Sequence, residues 1–171
     1  MITMKNFDDL AKTELRDLLV RNWMTHDAMW FANTVQQCGI EKTNLINRAA
    51  VKTMAMIEAN RLKEVVQVGH IENFEELTAF ITTGFEIIRA PFMDFTITFP
   101  GKNMMRWEIS RCFAYQGIRK LGVIDQYQCG IFDRLDGWLA ALEITYTALP
   151  QVEGCLMHQT GKCAREYRFE F

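Results

Sequence analysis

The chain has 171 residues, 49% of them hydrophobic and 12% aromatic, and its 19 basic and 21 acidic side chains give a formal net charge of −2. That length suits a single domain, residues 1–171, with a core large enough to need no covalent staples. The interspersed charges form no basic patch, which argues against nucleic acid as a partner, and no apolar run reaches the roughly 18–20 residues of a membrane span.

The N-terminus opens as an acidic helix start and lacks the apolar stretch of a signal peptide, so the expected compartment is the cytoplasm. The five cysteines are then free thiols, metal ligands or catalytic groups. Twelve Phe, four Trp and ten Met exceed what a minimal core requires. Such a chain is expected to enclose an apolar cavity or to bury a face against a second copy in a homodimer.

In chain order, the first part, about residues 1–90, is helical. Apolar residues recur at helical spacing from Phe7 to Gln37, and Gly39 is a natural stop. A second helix runs from about Thr43 to Val66. A third opens at Asn73, with Glu76 placed as its capping-box partner, and ends before Pro91. From about residue 91 the period changes to two. Met93, Phe95, Ile97 and Phe99 alternate with polar residues, the segment from Pro100 to Asn103 turns, and Met105, Trp107 and Ile109 return as the second strand of a hairpin. Short helices follow over about 112–121 and 132–142, then strands over 143–148, 152–158 and 164–171. The order predicts an α+β fold, with N-terminal helices packed on a mainly antiparallel sheet. No glycine-rich loop follows a strand, so neither a dinucleotide site nor a phosphate loop is indicated.

Cys155 and Cys163 flank a turn in which Gly161 can supply a positive φ. Cys129 lies in a loop before Gly130, and Cys112 where a strand passes into a helix. Thiolates drawn from a loop and a hairpin suit a structural zinc site of about four ligands. The chain contains no CxxC, and buried cysteines behaving as small hydrophobes are the alternative. Cys38, before Gly39, reads as an ordinary buried thiol.

The segment from Cys129 to Phe171 resembles the 4-vinyl-reductase domain family. That family closes on a cysteine, seven residues containing a glycine, a second cysteine and a short strand, here Cys155-LMHQTGK-Cys163-AREYRFEF. Zinc-binding members carry a further cysteine upstream, and Cys129 stands 26 residues before Cys155. They also take an acidic ligand just before the pair. Glu153 is nearest but one residue off that spacing, so Glu153 and Cys112 compete as fourth ligand to Cys129, Cys155 and Cys163. The preceding hairpin and the helix with Gly137-Trp138 are similar to the same fold, which makes about 91–171 the vinyl-reductase-like half. The L-2-amino-thiazoline-4-carboxylate hydrolase-like proteins share this ending and resemble the chain in size and helical N-terminus.

Trp23, His26, Asp27 and Trp30 fall at i, i+3, i+4 and i+7 and share one helix stripe. An imidazole and a carboxylate between two indoles suit proton movement or polarisation of a small ligand. Packing tryptophans beside a hydrogen-bonded surface pair are the alternative. Asn44, Asn47, Glu58 and Arg61 on the next helix offer polar contacts across a helix pair. Trp107 is a second wall candidate, one residue from the tryptophan that holds the ligand hydroxyl in phenol-sensing relatives. Phe80 falls near the histidine that partners it there.

The expected function is therefore binding of a small apolar or aromatic molecule, with Trp23, His26, Trp30, Asn47 and Trp107 around the ligand and zinc as a structural clamp. One alternative is a small hydrolase acting on a C–N bond of a heterocycle, as the second resemblance implies, with His26 and Asp27 as the acid/base pair. The other is an iron–sulfur protein, since four cysteines also suit a cluster.

Overall fold

A computed structural model of the chain describes residues 4–171. A 3-10 turn, Phe7–Asp9, leads into α1 (Lys12–Val66), which is broken at Gly39 by φ 77° and ψ 166°. Only glycine adopts that conformation without strain. The break turns the helix into two arms, residues 12–38 and 40–66. Trp23, Asp27, Phe31 and Thr34 on the first arm line the same groove as Met54, Val51, Asn47 and Thr43 on the second, so the arms run back antiparallel. Cys38 is exposed at this break instead of buried, while Ile40 just beyond it is buried with Phe31, Ile118, Tyr127 and Cys155.

Next comes α2 (Phe74–Ile88), whose N-cap Asn73 accepts a hydrogen bond from the Glu76 amide at 3.0 Å. The Glu76 carboxylate answers one residue further out than expected, accepting from the Glu72 amide at 2.9 Å. Strands β1 (Asp94–Gly101) and β2 (Met104–Arg111) form the hairpin, with Phe95, Met105, Trp107 and Ile109 buried. They are followed by α3 (Phe113–Lys120), α4 (Ile131–Ala141), β3 (Tyr146–Leu149), α5 (Leu156–Thr160) and β4 (Cys163–Phe169). The four strands lie in the order β1-β2-β4-β3, every neighbouring pair antiparallel. The fold is α+β, as the change of period predicts. No helix among the described residues is long and apolar enough to cross a membrane.

The strand expected over 152–158 is absent. Gly154, at φ 78°, breaks the extended run, and Leu156–Thr160 coils into the short α5, closed by Gly161 at φ 71°. The turn between Cys155 and Cys163 is therefore helical.

One main core joins the second arm of α1, α2, α4 and the inner face of the sheet around Leu77, Ile81, Met105, Leu135, Trp138 and Tyr167. Two polar clusters cross it. Glu58 on α1 takes the guanidinium fork of Arg134 and the indole N–H of Trp138, the latter at 2.8 Å. Asp136 on α4 receives Arg165 of β4 at 2.8 Å, and the same guanidinium donates to the Tyr167 hydroxyl at 3.2 Å. These near-buried pairs fix how α4 sits between helix and sheet, because separating either leaves a charge in a poor dielectric.

The approach of α4 to α1 is set by Gly137, where an added Cβ would lie 2.7 Å from the Ala55 methyl and 2.8 Å from the Lys52 carbonyl. Alanine in a helix normally gains about 1 kcal/mol over glycine. Gly137→Ala should instead lose about 1–3 kcal/mol by overpacking, whereas Gly117→Ala in α3, with open space around it, should gain up to about 1 kcal/mol. Denaturant unfolding of the two variants checks the contrast.

Candidate functional site

A cavity of about 340 Å³ lies between the first arm of α1, the β1-β2 hairpin, α3 and the start of α4. Its aromatic wall is a set of edge-packed rings, with Phe85 4.9 Å and Phe95 6.1 Å from Trp107 by ring centroid. Met24, Met29, Met54 and Met93 add flexible apolar surface. Polar groups are few: Asp27, Asn47, Arg111 and Arg134 are the main ones. Trp107 is only 3% exposed, and its indole N–H is buried with no hydrogen-bond partner. A buried donor without an acceptor costs about 1–3 kcal/mol, and this one stands in a cavity wall.

The helix stripe expected from sequence is present. Trp23, His26, Asp27 and Trp30 all line a second hollow of about 320 Å³ between the two arms of α1. Trp23, Asp27 and Asn47 line the inner cavity as well, so the arms separate the two hollows. His26 Nδ1 lies 3.7 Å from the Asp27 carboxylate, with the imidazole 71% exposed. Partial burial pushes the Asp27 carboxyl up from its ordinary value, opposed by His26 and Arg134. The guanidinium of Arg134 stacks 4.6 Å from the centre of the Trp23 ring while its fork stays on Glu58, so one side chain binds both arms to α4. Of the five ligand-binding candidates, Trp23, Asn47 and Trp107 reach the inner cavity, whereas His26 and Trp30 face the outer groove. Phe80 packs on Trp138 and takes no part in the cavity wall.

Behind the inner cavity the fold gathers four cysteines. Cys112 ends β2 and caps α3, its sulfur accepting from the Tyr115 amide at 3.4 Å. Cys129 is tied to the Cys155 turn by its own N–H, which donates to the Gly154 carbonyl at 3.2 Å. Cys163 begins β4 opposite Ile109. The thiols of Cys112, Cys129 and Cys155 all bear on Cys163, and those of Cys112 and Cys155 on Cys129. Glu153 is exposed, whereas Cys112 is buried. Among the described residues no group of three or more His, Cys, Asp or Glu side chains is placed to hold a metal ion.

The chain belongs to DUF6125, a family of unknown function, whose model matches residues 8–143. The match takes in the helical hairpin, β1, β2, α3 and α4, and ends before the Cys155–Cys163 pair. No curated protein and no solved structure matches the chain.

Sequence reasoning missed Phe31, Tyr127 and Arg111 as wall residues. Phe31 was within reach, since it continues the Trp23–Asp27 stripe by one more helical turn. Tyr127 and Arg111 come from a loop and a strand end, which carry no periodic signal.

Burial pushes the thiols of Cys129 and Cys163 up to about 12, and the neighbouring sulfurs add to the shift. The folded chain thus keeps protons that the unfolded chain releases near its ordinary thiol value of 9.0. In metal-free protein this stabilisation should be complete below about pH 9 and should fade as the pH rises towards 12. Cys129→Ala should flatten that decline, measured as the melting temperature across the alkaline range.

Proposed function

We propose that this protein binds a small, largely apolar molecule in the inner cavity, with the four cysteines holding a structural metal ion behind its wall. The cavity carries the reading. A hollow of about 340 Å³ with a mostly apolar wall is within the size range of small-molecule sites. A cavity of that size suits a guest. Each water-sized group in a liquid takes about 30 Å³, so the space holds on the order of eleven such groups, which suits one fused ring system or a short chain. The mostly apolar wall, with the Trp107 ring in it, fits such a molecule.

The donor set fits a thiophilic ion such as zinc. Cys112, Cys129, Cys155 and Cys163 would hold it, and a backbone N–H already points at the Cys112 sulfur. A bound divalent cation would supply the positive charge that lets buried thiols exist as thiolates. The resemblance of the ending to the vinyl-reductase family supports three of these ligands, Cys129, Cys155 and Cys163. Self-association in a homodimer is supported by the apolar side chains exposed along α1, among them Leu19, Trp30, Leu45 and Ile57.

2-Naphthol, a fused ring carrying one oxygen, is a suitable probe. It should bind with one site per chain in calorimetric titration, and Trp107→Ala should weaken it about tenfold by removing the indole from the apolar wall. Equal affinity in the variant would remove Trp107 from the site, and no binding at all to the native chain would count against the cavity as a site for such molecules.

A further inference from the structure

Cys112 and Tyr127 belong to two places at once. Both line the inner cavity, and both belong to the cysteine-bearing region behind it. Cys112 joins the buried core cluster beneath the sheet, whereas Tyr127 packs with Phe31, Ile118 and Cys155 in a second cluster that also touches Cys129. Tyr127 is 6% exposed and stands two residues before Cys129. Its ring meets Phe31, itself a wall residue, edge-on at 5.6 Å. Burial and the nearby Cys129 thiol push its hydroxyl well above the ordinary value.

The loop that carries both residues is clamped from opposite sides. From the helical hairpin, the buried Asn44 donates to the Gln126 carbonyl at 2.8 Å and accepts from the Gln128 amide at 3.0 Å. From the cysteine turn, Gly154 accepts from the Cys129 amide at 3.2 Å and donates to the Gln128 side chain at 3.0 Å. The loop therefore cannot shift at the cavity wall without moving a sulfur. Nor can the sulfurs draw together without pulling on the wall.

We propose that the cavity and the cysteine cluster are linked sites, so that a small aromatic guest and a thiophilic divalent cation each tighten the binding of the other through Cys112 and Tyr127. The inference rests on the ligand-binding reading above and adds regulation to it. The physical basis is a shared element whose position both sites bias, which makes the effect reciprocal by necessity. An ion that draws the four sulfurs together fixes Cys112 and the 126–129 loop, and so presents a wall that is already organised when the guest arrives. A guest packed against Tyr127 and Cys112 does the same for the ion.

The test is a linkage cycle on the full chain. The 2-naphthol affinity is measured by calorimetry on zinc-loaded and chelator-stripped protein, and the zinc affinity by competition with a chromogenic chelator, with and without 2-naphthol. Each partner should tighten the other by at least about fivefold, by the same factor in both directions. Tyr127→Phe keeps the ring and loses the hydroxyl. It should bring the factor below about twofold while zinc still binds one ion per chain, and Phe31→Leu should lower it from the cavity side. Binding of both partners with a factor of one overturns the linkage alone. Failure of 2-naphthol or of zinc to bind overturns the reading beneath it and the linkage together.

Discussion

Glu58 is the point on which the helical half and the rest of the molecule meet. Its carboxylate sits on the second arm of α1 and takes the Arg134 fork and the Trp138 indole N–H from α4. Arg134 in turn lies over Trp23 on the first arm. One anion thus holds three helices in register. It can do so in a mostly buried setting because each of its oxygens has a donor. Without this pin the first arm would keep few attachments, since most of its residues are exposed and the rest amount to Phe31 in the cluster with Ile118, Tyr127 and Cys155 and contacts such as Arg16 to the Glu86 carbonyl at 3.3 Å.

That arrangement explains why there is a cavity at all. The second arm packs hard on α4 because Gly137 admits it to the distance of the Lys52 carbonyl. The first arm is held off the sheet at the thickness of Trp23, Phe31 and the methionines. The space between the first arm and β1-β2 is left to aromatic rings that pack on one another edge-on and do not fill it. On the far side of that space, the end of β2 and the loop before α4 bring cysteines up to the turn around α5. The cavity wall and the sulfur cluster are thus two faces of the same short segments.

Much of this was legible in the residues. The change of period from 3.6 to 2 at Met93 placed the hairpin with its buried face correct, because alternation is dictated by geometry alone. Gly39 and Asn73 marked real helix ends for the backbone reasons that made them visible. The Trp23–His26–Asp27–Trp30 stripe was right as a stripe. What it faces was not legible, because a helix pattern says which side is apolar and not which neighbour covers it. The run from Val152 to His158 read as a strand on its apolar residues, but Gly154 and a cap at Cys155 outweighed them. Cys38 read as buried by residue type, whereas at the hairpin tip it is Ile40 that is buried and Cys38 that is exposed. Glu153 and Cys112 could not be separated by spacing, since the choice depends on how β2 and the α5 turn meet across the sheet.

The central claim is that the four converging cysteines hold a metal ion behind an aromatic cavity. Elemental analysis of protein purified anaerobically without added metal tests it most directly. The account predicts about one zinc per chain, coordinated by sulfur at roughly 2.3 Å in an absorption spectrum at the zinc edge. Iron with sulfide would contradict the zinc assignment and turn the site towards redox chemistry. Protein with no metal and full stability would contradict the claim and return the four thiols to the apolar core.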